Sequence, residues 1–427
     1  MEQQLYDSYL SILKNELAVA LGCTEPIAIA YAGAVARKTL GEMPLHCEVL
    51  CSGNIIKNVK GVAIPNAGGL KGIDAAVTLG LLGGDPDRGL AVLEPITEEH
   101  RQHACALIES GFCTCGLIEG TENLHIIVKV QSKRHSAEVE IRDTHSNLTR
   151  IVLDGAVLLS REDTPGASAS GGPDPSLLNV RDILAFADCV RIEDVGPVLE
   201  RQVKCNCAIS REGLTHPYGA EVGRTLLSGA SPERANVRLR ARAAAAAGSD
   251  ARMSGCPMPV VINSGSGNQG ITVTLPVVEY ARELGAGRER LYRALVISNL
   301  IAVHQKKYIG RLSAYCGAVS AACGSGAGIA YLCGADYEEI CGTITNTIAN
   351  VSGIVCDGAK PSCAAKIASA VEAAIMAYDM SRNNRVFQPG DGLVKDNVEQ
   401  TIASVGRMGR EGMRSTDVEI LNIMLDK

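Results

Sequence analysis

Three cysteines toward the C-terminus of this chain have a spacing that suits metal chemistry. Cys316 lies in RLSAYCGAV, and Cys356 and Cys363 lie in SGIVCDGAKPSCAAK. From 316 to 356 is 40 positions and from 356 to 363 is 7. Three thiolates with no obvious fourth suit a 4Fe–4S cluster that leaves one iron open. An open iron acts as a Lewis acid on a substrate atom. Electron carriers usually close all four positions, so the pattern points to an enzyme. Two plainer readings compete. The chain has 16 Cys, and a buried cysteine often serves as a small hydrophobe. Structural zinc sites usually show paired knuckles such as CxxC, and the chain has no CxxC.

Other segments carry polar groups at sharp turns. GCTEP puts Cys23 beside a predicted helix start, with Thr24 a candidate cap and Pro26 in the first turn. A helix N-terminus favours thiolate, which makes Cys23 a candidate base or nucleophile. NSGSGNQG supplies Asn263, Ser264, Gly265, Ser266, Gly267, Asn268 and Gln269. Its glycines satisfy G-x-G-x-x-G. The β-branched ITVTLP after it predicts no helix at that point, and no βαβ unit surrounds it. A polar nest for a carboxylate is the preferred reading. CSGNIIKN places Ser52, Gly53 and Asn54 as a polar insertion in a β-like stretch, a bulge or turn unless it binds. In SDARM, Asp250 and Arg252 are expected to pair locally rather than to clamp a substrate. Lys306 and Lys307 could anchor an anion, with a solvated helix end the preferred reading.

The elements that must position these residues give an α+β chain. A mixed N-terminal part with a small antiparallel sheet is predicted over 1–165. Its strands are His125–Val130, Ala137–Arg142 and Leu148–Leu159. The Pro-, Gly- and Ser-rich stretch Thr164–Pro175 is the predicted linker. A mostly helical part follows over 166–427, including a helix predicted from Pro276. Glycines in CGSGAG (Cys323–Gly328) would let its helices approach closely. Apolar residues form 46% of 427, enough for a sizeable core, with no Trp and three Phe. A net charge of −6 argues against nucleic acid as a partner. No stretch is long and apolar enough to span a bilayer, and the start lacks an export signal. Together with the many cysteines, this predicts a cytoplasmic protein.

GCTEP, SGN, SDARM, NSGSGNQG, RLSAYC and CDGAKPSC occur in one order along nearly the whole chain. As a set they resemble the L-cysteine desulfidase family, relatives of the alpha chain of iron–sulfur L-serine dehydratases, over residues 10–425. The resemblance implies a 4Fe–4S enzyme that splits L-cysteine into pyruvate, ammonia and sulfide without pyridoxal phosphate. It implies Cys316, Cys356 and Cys363 as cluster ligands and Cys23 as the base. The two polar turns would hold a small amino acid. Some of the related serine dehydratases carry a C-terminal cysteine near the cluster, a feature the ending LDK lacks. A homodimer is left open. Two alternatives remain: an L-serine dehydratase, and a non-catalytic metal or cluster protein that senses redox state.

Overall fold

Period-two alternation in the first part builds a sheet that is larger than the sequence suggested. The computed structural model describes residues 1–120, 124–161, 174–229, 235–310 and 312–426. Helix α1 (Gln3–Glu16) and strand β1 (Val19–Leu21) open the chain. Then come α2 (Thr24–Leu40), β2 (His46–Ser52), α3 (Gly53–Val59), α4 (Ile73–Gly83) and α5 (Glu98–Glu109). Strands β3 (Cys113–Ile118), β4 (His125–Gln131), β5 (Ser136–Arg142), β6 (Leu148–Leu153) and β7 (Ala156–Ser160) follow. With β2 they form one sheet in the order β3-β2-β4-β5-β6-β7. It is antiparallel except where β2 runs parallel to β3. One face, including Val49, Ile126, Val128 and Val139, shares a core with α2 and α4.

Residues 148–159, predicted as one strand, form two. Asp154 and Gly155 join β6 to β7 with φ of 49° and 82°. Positive φ at both positions gives a turn whose twist matches a tight hairpin. The SGN segment is neither bulge nor turn. Ser52 ends β2 and Gly53 opens α3 directly.

The second part is helical, as predicted. It runs α6 (Val180–Cys189), α7 (Ile192–Thr215), α8 (Val222–Leu227), α9 (Val237–Met253), β8 (Pro259–Val261), α10 (Gly267–Glu283) and α11 (Arg288–Ile309). It ends with α12 (Gly317–Leu332), α13 (Tyr337–Asn350), α14 (Cys363–Ser381), α15 (Val398–Arg407) and α16 (Arg414–Met424). The start of the chain joins this part. Tyr9, Ile12 and Leu13 of α1 are buried in its core beside Phe186, and β1 pairs antiparallel with β8. The boundary expected between 165 and 166 and most of the predicted linker lie outside the described residues.

Helix α10 begins at Gly267, nine residues before the helix predicted at Pro276. Its β-branched first turns are buried almost throughout, and packing overrides their weak helix propensity. Thr272 and Thr274 return hydroxyl bonds to Asn268 O and Gly270 O (2.7 and 2.6 Å). The CGSGAG glycines act as predicted. A side chain at Gly324 would strike Ser298 O of α11, and one at Gly328 would come within 2.9 Å of Ala294 O.

Candidate active site

Three helix N-termini carry cysteines into one buried space. Cys23 is the cap residue of α2, Cys316 that of α12, and Cys363 is the first residue of α14. The partial positive charge at such an end favours a thiolate or an anion nearby. Cys356 comes from the loop between α13 and α14. Its N–H donates to Ala314 O (2.7 Å) and the Cys316 N–H to Ile354 O (2.9 Å). The two cysteine segments therefore pair across the Tyr315–Val355 bridge. All four cysteines line a cavity with about 100 Å³ of water-accessible volume. Glu25, Asn58, Arg252, Ser266, Asn268, Gln269 and Lys306 line it too.

The thiols around Cys356 form an anion-supporting group. The hydrogen bond from Cys316, then the charges of Lys57 and Lys366, hold Cys356 low, at about 6 against burial. The same partnership, with burial, pushes Cys316 up, so the pair shares a proton. Burial raises Cys363. The backbone at Ala318, Gly358 and Lys360 favours the charged forms of Cys316, Cys356 and Cys363 respectively, and Cys363 Sγ donates to Gly358 O (3.7 Å). Asp357 holds Lys360 and Lys366 in ion pairs. Among the described residues, no three His, Cys, Asp or Glu side chains are grouped to hold a metal ion by themselves.

Cys23 differs from expectation. Burial, then the Glu25 carboxylate, raises its thiol well above the ordinary value, with Arg252 opposing. It is a protonated donor to Glu25 Oε2 at 3.0 Å, not a resting thiolate. Burial also raises Glu25, but His145, Cys23 and Arg252 outweigh it and bring the carboxyl to about 2. Asn58 Nδ2 (3.1 Å) and Thr24 Oγ1 (3.2 Å) complete that carboxylate's bonds.

NSGSGNQG divides in two. Asn263 and Ser266 exchange both backbone bonds around Ser264 and Gly265, whose φ are 49° and 78°. That is a tight turn with positive φ at both central residues, not an open nest. Asn263 is tied to Asn299 (3.0 Å), Ser264 Oγ to Asn263 (2.9 Å), and Gly265 O accepts from Thr24 Oγ1 (3.0 Å). The turn thereby locks GCTEP to the start of α10. Only Ser266, Asn268 and Gln269 from this segment line the cavity.

Ser52, Gly53 and Asn54 lie elsewhere. Ser52 Oγ accepts from His125 N (3.2 Å), and Asn54 Nδ2 donates to Asp417 Oδ2 of α16 (2.8 Å). Their helix reaches the cavity through Asn58, and its buried Lys57, whose charge lowers Cys356, pairs with Asp417. Asp250 and Arg252 do not pair as expected. Asp250 accepts from Gly223 N (2.9 Å), and burial lifts it to about 6. Lys306 is buried at the cavity rather than solvated. Glu25 and Asn58 were not singled out from the sequence as site residues, and for Lys306 the sequence favours a solvated helix end over an anion anchor. The adjacency of Glu25 to Cys23 in GCTEP was the available signal.

Four cysteines, three of them at helix N-termini, thus share one cavity inside an α+β scaffold. Residues 87–422 match the family described as serine dehydratase alpha chain, and the chain belongs to that family of lyase-type enzymes. It is 53% identical to a UPF0597 protein of Lachnoclostridium phytofermentans over 99% of this chain and 100% of that one. It is 49% identical to a UPF0597 protein of Desulfitobacterium hafniense, covering 100% and 99% of the two chains. A UPF0597 protein of Treponema denticola is 44% identical over 100% and 99%. Among the described residues, no helix is long and apolar enough to cross a membrane.

Proposed function

We propose that this protein is an iron–sulfur-dependent lyase that eliminates sulfide from L-cysteine, giving pyruvate and ammonia. The observation that carries the reading is the meeting of Cys316, Cys356, Cys363 and Cys23 in one cavity. The donor chemistry fits a cluster. Three sulfurs in one cavity, with the charges of Lys57 and Lys366 acting on Cys356, suit an anionic group held by thiolates. A single zinc would need its ligands closed around one ion at about 2.3 Å, with a fourth donor. Cys316, Cys356 and Cys363 would hold a 4Fe–4S cluster. When bound, it would supply a thiophilic Lewis acid toward the leaving sulfur.

The chain's own residues handle the rest. Elimination removes the Cα proton and breaks the Cβ–S bond, and the enamine product then takes a proton on carbon before hydrolysis. Glu25 is ionised and can only accept; Cys23 is protonated and can donate. The pair keeps Cys23 in the proton transfer while reversing its resting state. Asn58 and Thr24 hold Glu25 in place for it. Serine is the second candidate substrate, favoured by the description of the matched family.

The test is anaerobic reconstitution with iron and sulfide, followed by parallel assays of pyruvate release from L-cysteine and L-serine. Brown, oxygen-sensitive protein that releases sulfide and pyruvate from cysteine supports the proposal. Preference for serine transfers it to the second substrate. A colourless protein with stoichiometric zinc overturns it.

A further inference from the structure

We propose that Arg252 is the positioning residue for the substrate α-carboxylate, so that the cavity is shaped for a free α-amino-acid zwitterion. This rests on the amino-acid elimination proposed above and says how that substrate is held. Arg252 is 2% exposed and lines the cavity. Among the described residues, its side chain makes one hydrogen bond, from Nε to Gly22 O at 3.0 Å. Its sequence neighbour Asp250 is engaged by Gly223 instead. Glu25 lies within its field, but that carboxylate already takes bonds from Cys23, Asn58 and Thr24. A buried guanidinium with its fork uncommitted is costly unless an anion fills it. A carboxylate matches that fork with two parallel bonds.

The surroundings hold the guanidinium at this place. A side chain on Gly267 would collide with Arg252 Nε and Cζ, so glycine at the first position of α10 makes room for it. The opposite charge of the ligand has partners too. Gln269, 5% exposed, lines the cavity with Oε1 lacking a hydrogen bond among the described residues, and so does Asn268 with Oδ1. Both are acceptors, suited to an ammonium group. The Gln269 amide packs against Gly317, the residue after Cys316. An amino acid with its carboxylate on Arg252 and its ammonium on these amides leaves its β-substituent for the cysteine side.

Calorimetric binding tests this in anaerobically reconstituted protein carrying Cys23→Ala, in which turnover of L-cysteine is expected to be slow. The probes are L-cysteine, 3-mercaptopropionate (no ammonium) and cysteamine (no carboxylate). In Arg252→Gln, L-cysteine and 3-mercaptopropionate are expected to weaken by about 100-fold or more, while cysteamine keeps its wild-type affinity. Arg252→Lys should recover part of the loss, because it restores charge without the fork. Gly267→Ala keeps the arginine but displaces it, and should show the same selective loss should Arg252→Gln fail to fold. Equal affinities across the three probes, or equal losses for all three, would overturn the proposal. The two readings fail separately. Selective loss without sulfide release by the wild type refutes the reaction and leaves Arg252 standing. Sulfide release with no selective loss does the reverse.

Discussion

The chain gathers cysteines in two places, and only one of them is equipped for an anionic group. On the sheet, Cys47 and Cys113 are neighbours across β2 and β3, and Cys113 Sγ lies 4.0 Å from Cys115 Sγ. Burial, then the two partner thiols, raises Cys51. The bond to Cys115 pulls Cys113 down, but Cys47 and burial outweigh it. Cys115 is raised by Cys113, by burial and by Asp74. In the cavity, by contrast, the hydrogen bond from Cys316 and then the charges of Lys57 and Lys366 hold Cys356 at about 6, while Cys316, Cys363 and Cys23 are raised. Proximity of thiols is therefore not enough. A proton-donating neighbour and nearby cations decide which thiol can carry thiolate, and clusters need thiolate.

The largest expected effect would break that contrast. Cys316→Ser, Cys356→Ser or Cys363→Ser should abolish visible cluster absorbance and turnover. The double change Cys113→Ser with Cys115→Ser should leave both within about twofold, as substitutions away from a site usually do. Equal loss from both groups would erase the distinction.

Next in size, Cys23→Ala should keep the cluster absorbance while turnover drops by about 10²–10⁴-fold, the usual worth of a proton-transfer group. Loss of absorbance in that variant would make Cys23 a ligand instead.

A smaller effect concerns Glu25. Its folded pKa of about 2 lies below the ordinary 4.5. Its contribution to stability is therefore present above about pH 4.5 and lost as pH falls toward 2. Thermal melting across that window should show wild type more stable than Glu25→Gln at neutral pH, with the gap closing in acid. A constant gap would deny the linkage.

The smallest involves Asp250, raised from 3.8 to about 6. Its contribution has the opposite sign. It is full below pH 3.8 and lost as pH rises through 6. Asp250→Asn should gain melting temperature relative to wild type between pH 4 and pH 7. An unchanged difference across that range would show that Asp250 is not raised in the folded protein.

Local pattern and residue type carried much of this protein. The α+β class, the helical second part, the strands at residues 125–131 and 136–142 and the close-packing glycines of α12 follow from periodicity and from side-chain size. The cysteines of the cavity were visible as spaced residues because chemistry limits which types can serve. Tertiary structure decided the rest, because burial and distant partners act where local propensity is silent. Packing made ITVTLP a helix and gave α10 its start at Gly267. The chain's first helix joined the second core because its apolar face found Phe186 there. Asp250 and Arg252 are two residues apart, yet α8 took one and the cavity the other. The proton on Cys23 was set by burial and by Glu25, which overcame the helix end that the sequence alone displayed.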